Sequence, residues 1–118
     1  MAAESHQTHV YVGLAGEGEY IGPGGAYRRA GGYQEWRSIT NGLPPNPQVR
    51  ALLVHPQDPR IIYAGTHLGP YRSDDRGEHW EALPAPRKDV WSLAFHPSDH
   101  SILYAGYEPC AIYRSEDG

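Results

Sequence analysis

Residues 49–84 read VRALLVHPQDPRIIYAGTHLGPYRSDDRGEHWEALP, and residues 90–118 repeat much of this stretch as VWSLAFHPSDHSILYAGYEPCAIYRSEDG. The residues that recur 41 positions later include Val49, His55, Pro56, Asp58, Tyr63, Ala64 and Gly65, and from Tyr71 onward the spacing becomes 42. Internal repetition with a period near 40 residues is typical of propellers, solenoids and repeat arrays. The sequence therefore indicates a duplicated structural unit.

Each full unit contains four short apolar or aromatic runs separated by turn-forming residues. In the central copy the runs are 49–54, 61–65, 70–73 and 80–83, with HPQDPR, THLG and DDRGEH between them. Strands this short, joined by loops this short, form an antiparallel meander, and four of them in about 40 residues make one propeller blade. We therefore predict an all-β fold of β-propeller blades, each a four-stranded antiparallel meander. A β-sandwich is the alternative, although a sandwich does not require turns at a fixed spacing.

An older and more diverged copy occupies residues 10–44, in which Tyr27 and Trp36 correspond to Tyr71 and Trp80 at a spacing of 44. The predicted organisation is one partial propeller domain over residues 1–118. Its blades are expected at approximately 9–44, 49–84 and 90–118.

These copies amount to about two and a half blades, whereas a closed propeller needs at least four. The first copy begins at its second strand and the last stops in its third turn. We expect either an N-terminal fragment, closed by the remaining blades of a longer chain, or a chain that associates with itself.

Composition agrees with a small β domain and excludes several classes of partner. The 118 residues include 14 Gly, 11 Pro and one Cys, with a formal charge of −4 and no run of basic residues. No nucleic-acid partner and no membrane insertion are predicted. Without a visible signal peptide or an 18-residue apolar stretch, the expected location is the cytoplasm. The lone Cys110 and the spacing of the seven histidines predict neither a cofactor nor a metal site.

Residues 73–80, SDDRGEHW, fit the pattern S-x-D-x-G-x-x-W, and RSEDG at 114–118 looks like a second such motif without its Trp. The pattern resembles the Asp-box of the bacterial neuraminidase repeat (BNR) family, which includes sialidases, sortilin-like receptors, xyloglucan-type endoglucanases and a photosystem assembly factor. The resemblance implies propeller architecture, and because the family carries several functions on one fold it does not select among them.

The Asp-box has a mechanical interpretation that requires no ligand. A short carboxylate accepts the unpaired N–H groups of a hairpin turn, a serine closes the other side, a glycine supplies a positive φ and the tryptophan covers the turn. The residues predicted for this structural role are Ser73, Asp75, Gly77, Trp80, Ser115 and Asp117. A calcium site is the alternative, although the spacing of an EF-hand is absent; it would use Asp74, Asp75, Glu78 and His79.

In a meander, the loops after the second and fourth strands lie at one end of every blade. The first copy's loop, residues 14–25, is about eight residues longer than its counterpart 66–69, and extra loop length is where binding residues are often placed. The candidate ligand rim consists of Glu17, Glu19, Tyr20, His67, Tyr107 and Glu108. This mixture of carboxylates and aromatics suits a sugar or a basic peptide, while a flexible Gly-rich loop with solvated charges is the alternative.

The predicted function is a repeat scaffold that binds a protein or glycan through this rim, without catalysis by these residues. The alternative is the N-terminal part of a BNR-type glycoside hydrolase whose catalytic carboxylates lie in other blades or on loop 14–25. No catalytic residue is assigned. The early Arg-Ile-Pro signature of sialidases is missing, and an assembly factor similar to the photosystem protein is supported by the repeat type alone.

Overall fold

The computed structural model describes residues 8–15, 24–30, 35–108 and 111–116. These residues form ten strands in three antiparallel sheets, each with its strands in chain order. The first sheet contains β1 (His9–Leu14), β2 (Gly25–Ala30) and β3 (Arg37–Ser38). The second contains β4 (Val49–Val54), β5 (Ile62–Thr66), β6 (Gly69–Ser73) and β7 (Glu81–Ala82). The third contains β8 (Asp89–Phe95), β9 (Leu103–Glu108) and β10 (Ala111–Ser115).

The predicted fold class is confirmed: the described residues are all-β, and their three meanders are compatible with an incomplete propeller. No helix in the described part of the chain has the length and apolar character needed to cross a bilayer.

The turns after the first strands of the second and third sheets are built alike. The backbone N–H of His55 donates to Ile61 O, and that of His96 donates to Ile102 O, both at 2.9 Å. The Nδ1 atoms of the same histidines accept backbone N–H groups two residues later, at 3.1 Å in each case. Each histidine thus satisfies backbone donors that the turn leaves without a strand partner.

The fourth strand is shorter than the apolar run 80–83 suggested. Trp80 does not pair within its own sheet; its backbone N–H donates to Asn41 O of the segment that follows the first sheet, at 2.9 Å. Its indole Nε1 donates to Ile39 O at 2.7 Å, and the residue is 4% exposed. Trp80 therefore joins two sheets, and β7 begins only after it.

Trp36 occupies the corresponding place at the first sheet, but 44% of it is exposed. The carbonyls that hold Trp80 belong to the segment after the preceding sheet, and no described sheet precedes the first. Trp36 instead lies beside the Arg29 guanidinium, 5.1 Å from carbon to ring centre, and lines an open apolar surface with Val12, Leu14 and Tyr27.

A valine–glycine contact sets the spacing between consecutive sheets. A Cβ on Gly13 would lie 2.6 Å from Val49 Cγ1, and a Cβ on Gly65 would lie 2.7 Å from Val90 Cγ1. Both valines are fully buried and lie at the beginning of the next sheet's first strand: Val49 is the first residue of β4, and Val90 is the second residue of β8. Only glycine allows this approach, so the repeated glycine is a packing requirement.

The larger core lies between the first and second sheets. It contains Ala26, Ile39, Val49, Ile62, Ala64, Tyr71 and Trp80. An ionic contact closes its outer side: Glu78 accepts from Arg28 Nη2 at 2.7 Å and from Arg37 Nη2 at 2.6 Å. A smaller core is formed within the third sheet around Val90, Ala105 and Tyr107.

We expect the substitution Gly65→Ala to destabilise the fold by about 1–3 kcal/mol, because the new methyl group overlaps Val90 in a packed interior. The matched control is Gly106→Ala, where the nearest atom is Oγ of the exposed Ser92. Urea denaturation of both variants measures the difference. Equal midpoints for Gly65→Ala and wild type would show that the valine contact does not set the sheet spacing.

Candidate functional site

Chemically mixed side chains gather at the end of the sheets where β4 and β8 begin. Val49 pairs with Thr66 and Asp89 pairs with Glu108, so the starts of the first strands meet the ends of the second strands there. The loop containing His67 lies at the same end. We call this set the rim: Arg50, His67, Asp89, Trp91 and Glu108.

Two β-bulges shape the rim. The pairing register shifts between Val49 and Ala51 and again between Val90 and Ser92, so Arg50 and Trp91 are the extra residues of their strands. They are also equivalent positions, 41 apart in the sequence. Bulges re-aim a side chain and occur often beside active sites.

Arg50, Asp89 and Trp91 form one connected unit. Arg50 Nη1 lies 3.2 Å from Asp89 Oδ1, and the guanidinium carbon lies 4.3 Å from the centre of the Trp91 ring. The Arg50 side chain is largely buried, whereas 49% of Trp91 is exposed. The cation–π contact occupies one face of the indole and the ion pair holds the guanidinium in place, while about half of Trp91 remains exposed as an aromatic surface of the rim.

Two carboxylates stand next to this surface. Asp89 and Glu108 are direct cross-strand partners, and directly opposed residues carry their side chains on the same face with Cβ atoms about 4.5–5.5 Å apart. Glu108 is exposed and Asp89 is partly exposed. The pair offers up to four carboxylate oxygens at the end of the sheet where β8, the strand of Trp91, begins.

The six residues of the ligand rim that was predicted from the sequence are only partly included in the rim defined from the structure. Glu108 is at the rim, and His67 is also there, where its Nδ1 accepts the backbone N–H of Gln48 at 3.1 Å. Tyr107 is buried; its hydroxyl donates to Pro86 O at 2.9 Å, and burial raises its pKa. Glu17, Glu19 and Tyr20 lie outside the described residues.

Arg50, Asp89 and Trp91 are absent from the sequence-predicted set. The signal that could have found them is the position that follows the repeated valine, where the two copies carry different, chemically prominent residues. The valine is the same in both copies because it packs between the sheets. The residue after it differs between the copies, so it is a candidate for a functional role.

The turn at residues 73–80 is held by its own side chains. Ser73 Oγ accepts the backbone N–H of Gly77 at 2.8 Å and donates to Asp75 Oδ1 at 2.7 Å. Asp75 Oδ1 also accepts the backbone N–H of His79 at 2.9 Å, and Gly77 has a φ of +89°. Ser115 lies at the end of β10, and Asp117 lies outside the described residues.

A cavity lies at the opposite end of the sheets from the rim. It is lined by His55, Tyr63, Arg72, Asp99 and His100, among others. The Nδ1 of His55 is occupied by backbone donors, and its ring packs edge-on against Phe95 with 5.2 Å between centroids. The Nδ1 of His55 therefore serves the turn and is not available to a ligand. The described residues contain no group of three or more His, Cys, Asp or Glu placed to hold a metal ion.

The fold is similar to that of propeller-type glycoside hydrolases. An ancestral GH74 enzyme matches with a TM-score of 0.67 at 22% identity, over 80% of this chain and 14% of that chain. A GH74 xyloglucanase from Xanthomonas campestris matches with a TM-score of 0.63 at 23% identity, over 92% of this chain and 20% of that chain. The chain thus spans a fifth or less of these enzymes, and at such identities the likeness shows the fold alone. Neither a scan against protein-family models nor a search of curated proteins finds a match.

The pair of Asp75 and His79 makes the turn at residues 73–80 sensitive to pH. Burial alone would raise the pKa of Asp75, but hydrogen bonds from His79 and Ser73 lower it to about 2. The hydrogen bond to Asp75 and its charge raise the pKa of His79 above 6.5. The Asp75 contribution to folding is lost as the pH falls from 3.8 through about 2, and the His79 contribution is lost as the pH rises from 6.5 through the raised pKa.

We therefore expect the turn to be most stable between pH 3.8 and 6.5. NMR titration of the His79 ring tests the pairing: Asp75→Asn should return the pKa of His79 toward 6.5. Glu81→Gln, a change at an exposed neighbour, is the control and should leave it unchanged. A His79 pKa that does not respond to Asp75→Asn would contradict the ion pair.

Proposed function

We propose that this chain is part of a propeller-type glycoside hydrolase and that its rim binds a glycan. The fold comparison favours this alternative over a non-catalytic scaffold, since both neighbours described above are GH74 enzymes. The observation that carries the proposal is the half-exposed Trp91, held by the Arg50 guanidinium beside two carboxylates.

The rim has the two surfaces that a sugar needs. A pyranose ring has an apolar C–H face, which packs on a flat aromatic ring, and an edge of hydroxyl groups, which donate hydrogen bonds. The Trp91 indole supplies the first surface. The carboxylates of Asp89 and Glu108 supply charge-assisted acceptors for the second.

Orientation is restricted because both surfaces are fixed by the sheet. Trp91 follows Asp89 by two positions on β8, and Glu108 is locked opposite Asp89 by the strand register. The ion pair with Arg50 holds the Asp89 carboxylate at the β4 side of the rim. A glycan on the indole would therefore meet the carboxylates along one edge.

The same proposal covers the organisation of the chain. Residues 9–44, 49–84 and 90–118 are taken as consecutive blades of one propeller, and residues 73–80 as an Asp-box. The short hydrogen bonds among Ser73, Asp75 and Gly77 support a structural role for this motif. The Val–Gly contacts support side-by-side packing of the blades.

Trp91→Ala should weaken glycan binding about tenfold, the effect of losing one aromatic stacking surface. The measurement is isothermal titration of the 118-residue chain with xyloglucan oligosaccharides, chosen because one neighbour is a xyloglucanase. Trp36→Ala is the matched control, because Trp36 is similarly exposed and also lies beside an arginine but directly precedes β3, in a different repeat from the rim. Equal losses in both variants would remove the rim as the binding surface.

Hydrolysis is tested by the release of reducing ends from xyloglucan. If the rim binds the substrate, Asp89→Asn and Glu108→Gln each lower kcat/KM, by about tenfold for the loss of a charge-assisted hydrogen bond. The control is Glu81→Gln on the exposed outer strand β7. If the wild-type chain binds the glycan but releases no reducing ends, the hydrolase part of the proposal is wrong and the chain is a glycan-binding scaffold.

A further inference from the structure

Two carboxylates face each other at the rim, where Asp89 at the start of β8 pairs directly with Glu108 at the end of β9. Like charges on directly opposed residues of a sheet repel each other and destabilise the pairing. Arg50 balances one of them, since its Nη1 lies 3.2 Å from Asp89 Oδ1. The rim of the third sheet therefore holds more negative charge than this ion pair compensates.

The preceding repeat shows that the packing of the sheets does not require carboxylates at these positions. The residues 41 positions before Asp89 and Glu108 are Gln48 and His67, and the Gln48 backbone N–H donates to His67 Nδ1 at 3.1 Å. Glu108 is exposed and Asp89 is partly exposed, so neither carboxylate belongs to a core. A repulsive contact that packing does not require is expected at a functional site.

An aromatic surface lies close to the carboxylates, because Arg50 contacts both. Its guanidinium carbon lies 4.3 Å from the centre of the Trp91 ring, while the same guanidinium pairs with Asp89. About half of Trp91 remains exposed. A ligand that fits this surface combines a positive charge with a flat apolar face. An amino sugar has both, since its protonated amine stands at the edge of a pyranose ring whose C–H groups form an apolar face.

We propose that the rim selects glycans that contain protonated amino sugars over neutral glycans with the same backbone. This inference rests on the proposed function, because it assigns the substrate class of the same rim. The ammonium group donates charge-assisted hydrogen bonds to Glu108 and Asp89 and relieves their repulsion. The pyranose ring packs on the exposed part of Trp91. A neutral sugar hydroxyl donates to the same oxygens but leaves the negative charges uncompensated.

A lysine side chain of a peptide carries the same ammonium group on a flexible stem. The half-exposed indole favours the sugar, because a pyranose ring presents a rigid apolar face, whereas a lysine side chain loses rotamer freedom when it is immobilised on a surface. A short lysine peptide is therefore one of the probes in the experiment below.

Three oligosaccharides of equal length and equal linkage separate charge from shape. Oligosaccharides of glucosamine, glucose and N-acetylglucosamine, obtained from chitosan, cellulose and chitin, differ only in the group at the second carbon of each ring: an amine, a hydroxyl or an acetamide. Each is titrated calorimetrically into the 118-residue chain at a pH where the amine is protonated. We expect the glucosamine oligosaccharide to bind about tenfold more tightly than the two neutral ones, and this preference to shrink as salt is added.

A variant of the rim shows where the preference arises. Glu108→Gln keeps an acceptor oxygen but removes a charge, so the ratio of the dissociation constants for the glucose and glucosamine oligosaccharides should fall toward one. The matched control is Glu81→Gln, the same substitution at an exposed residue of the outer strand β7, which should leave the ratio unchanged. Glu108 is exposed, so the variant is expected to fold, and the dispersion of its NMR spectrum verifies this.

Each way of failing has its own signature. Equal binding of the charged and neutral oligosaccharides, or a preference that survives Glu108→Gln, would overturn the selectivity and leave glycan binding by the rim in place. A lysine peptide that binds as tightly as the glucosamine oligosaccharide would show that the ammonium group alone is recognised, which also overturns it. If none of the three oligosaccharides binds, the proposed function fails together with this inference.

Discussion

The contact between a buried valine and a glycine of the preceding sheet is the constraint on which the rest of the structure depends. Val49 packs on Gly13 and Val90 packs on Gly65, at distances that leave no room for a Cβ. Each valine is followed directly by the bulged residue, Arg50 or Trp91. Because the valine is fixed inward, the bulge places the following side chain at the rim. The packing of the sheets and the geometry of the candidate site thus come from the same two residues of each repeat.

The fold could be predicted because its signals are local and repeated. The 41-residue spacing and the turn residues specify meanders of three, four and three strands, as the structure has them. The rim could not be predicted from the sequence, because a β-bulge has no periodic pattern of residues. The pairing of Asp89 with Glu108 also depends on the strand register, which the sequence does not specify. Trp36 shows another limit. Its sequence position matches that of Trp80, yet its burial depends on carbonyls of a preceding sheet, which its own repeat does not contain.

The two ends of the sheets differ in how their polar groups are used. At the turn end, His55, His96, Ser73 and Asp75 bond mainly to backbone or to each other within a few residues. Such bonds hold a turn and leave little capacity for a ligand. At the rim, Arg50 forms an ion pair with Asp89 and a cation–π contact with Trp91. The exposed part of the indole and the Glu108 side chain remain accessible to solvent. This difference, and not the number of charged residues, is what favours the rim as the binding end.

The segment that joins the second and third sheets links the rim to an apolar groove that lies between these two sheets. It leaves β7 at Leu83, lines the groove as far as Pro86 and enters the rim at Asp89. Its middle is fixed by the hydrogen bond from Tyr107 to Pro86 O and by Arg87 Nη2, which donates to the Tyr71 hydroxyl at 2.9 Å. With both bonds formed, a few residues separate the floor of an apolar groove from a rim carboxylate. A shift of this segment by one residue would move Asp89 out of register with Glu108. The integrity of the rim therefore depends on how firmly the groove side of the segment is packed.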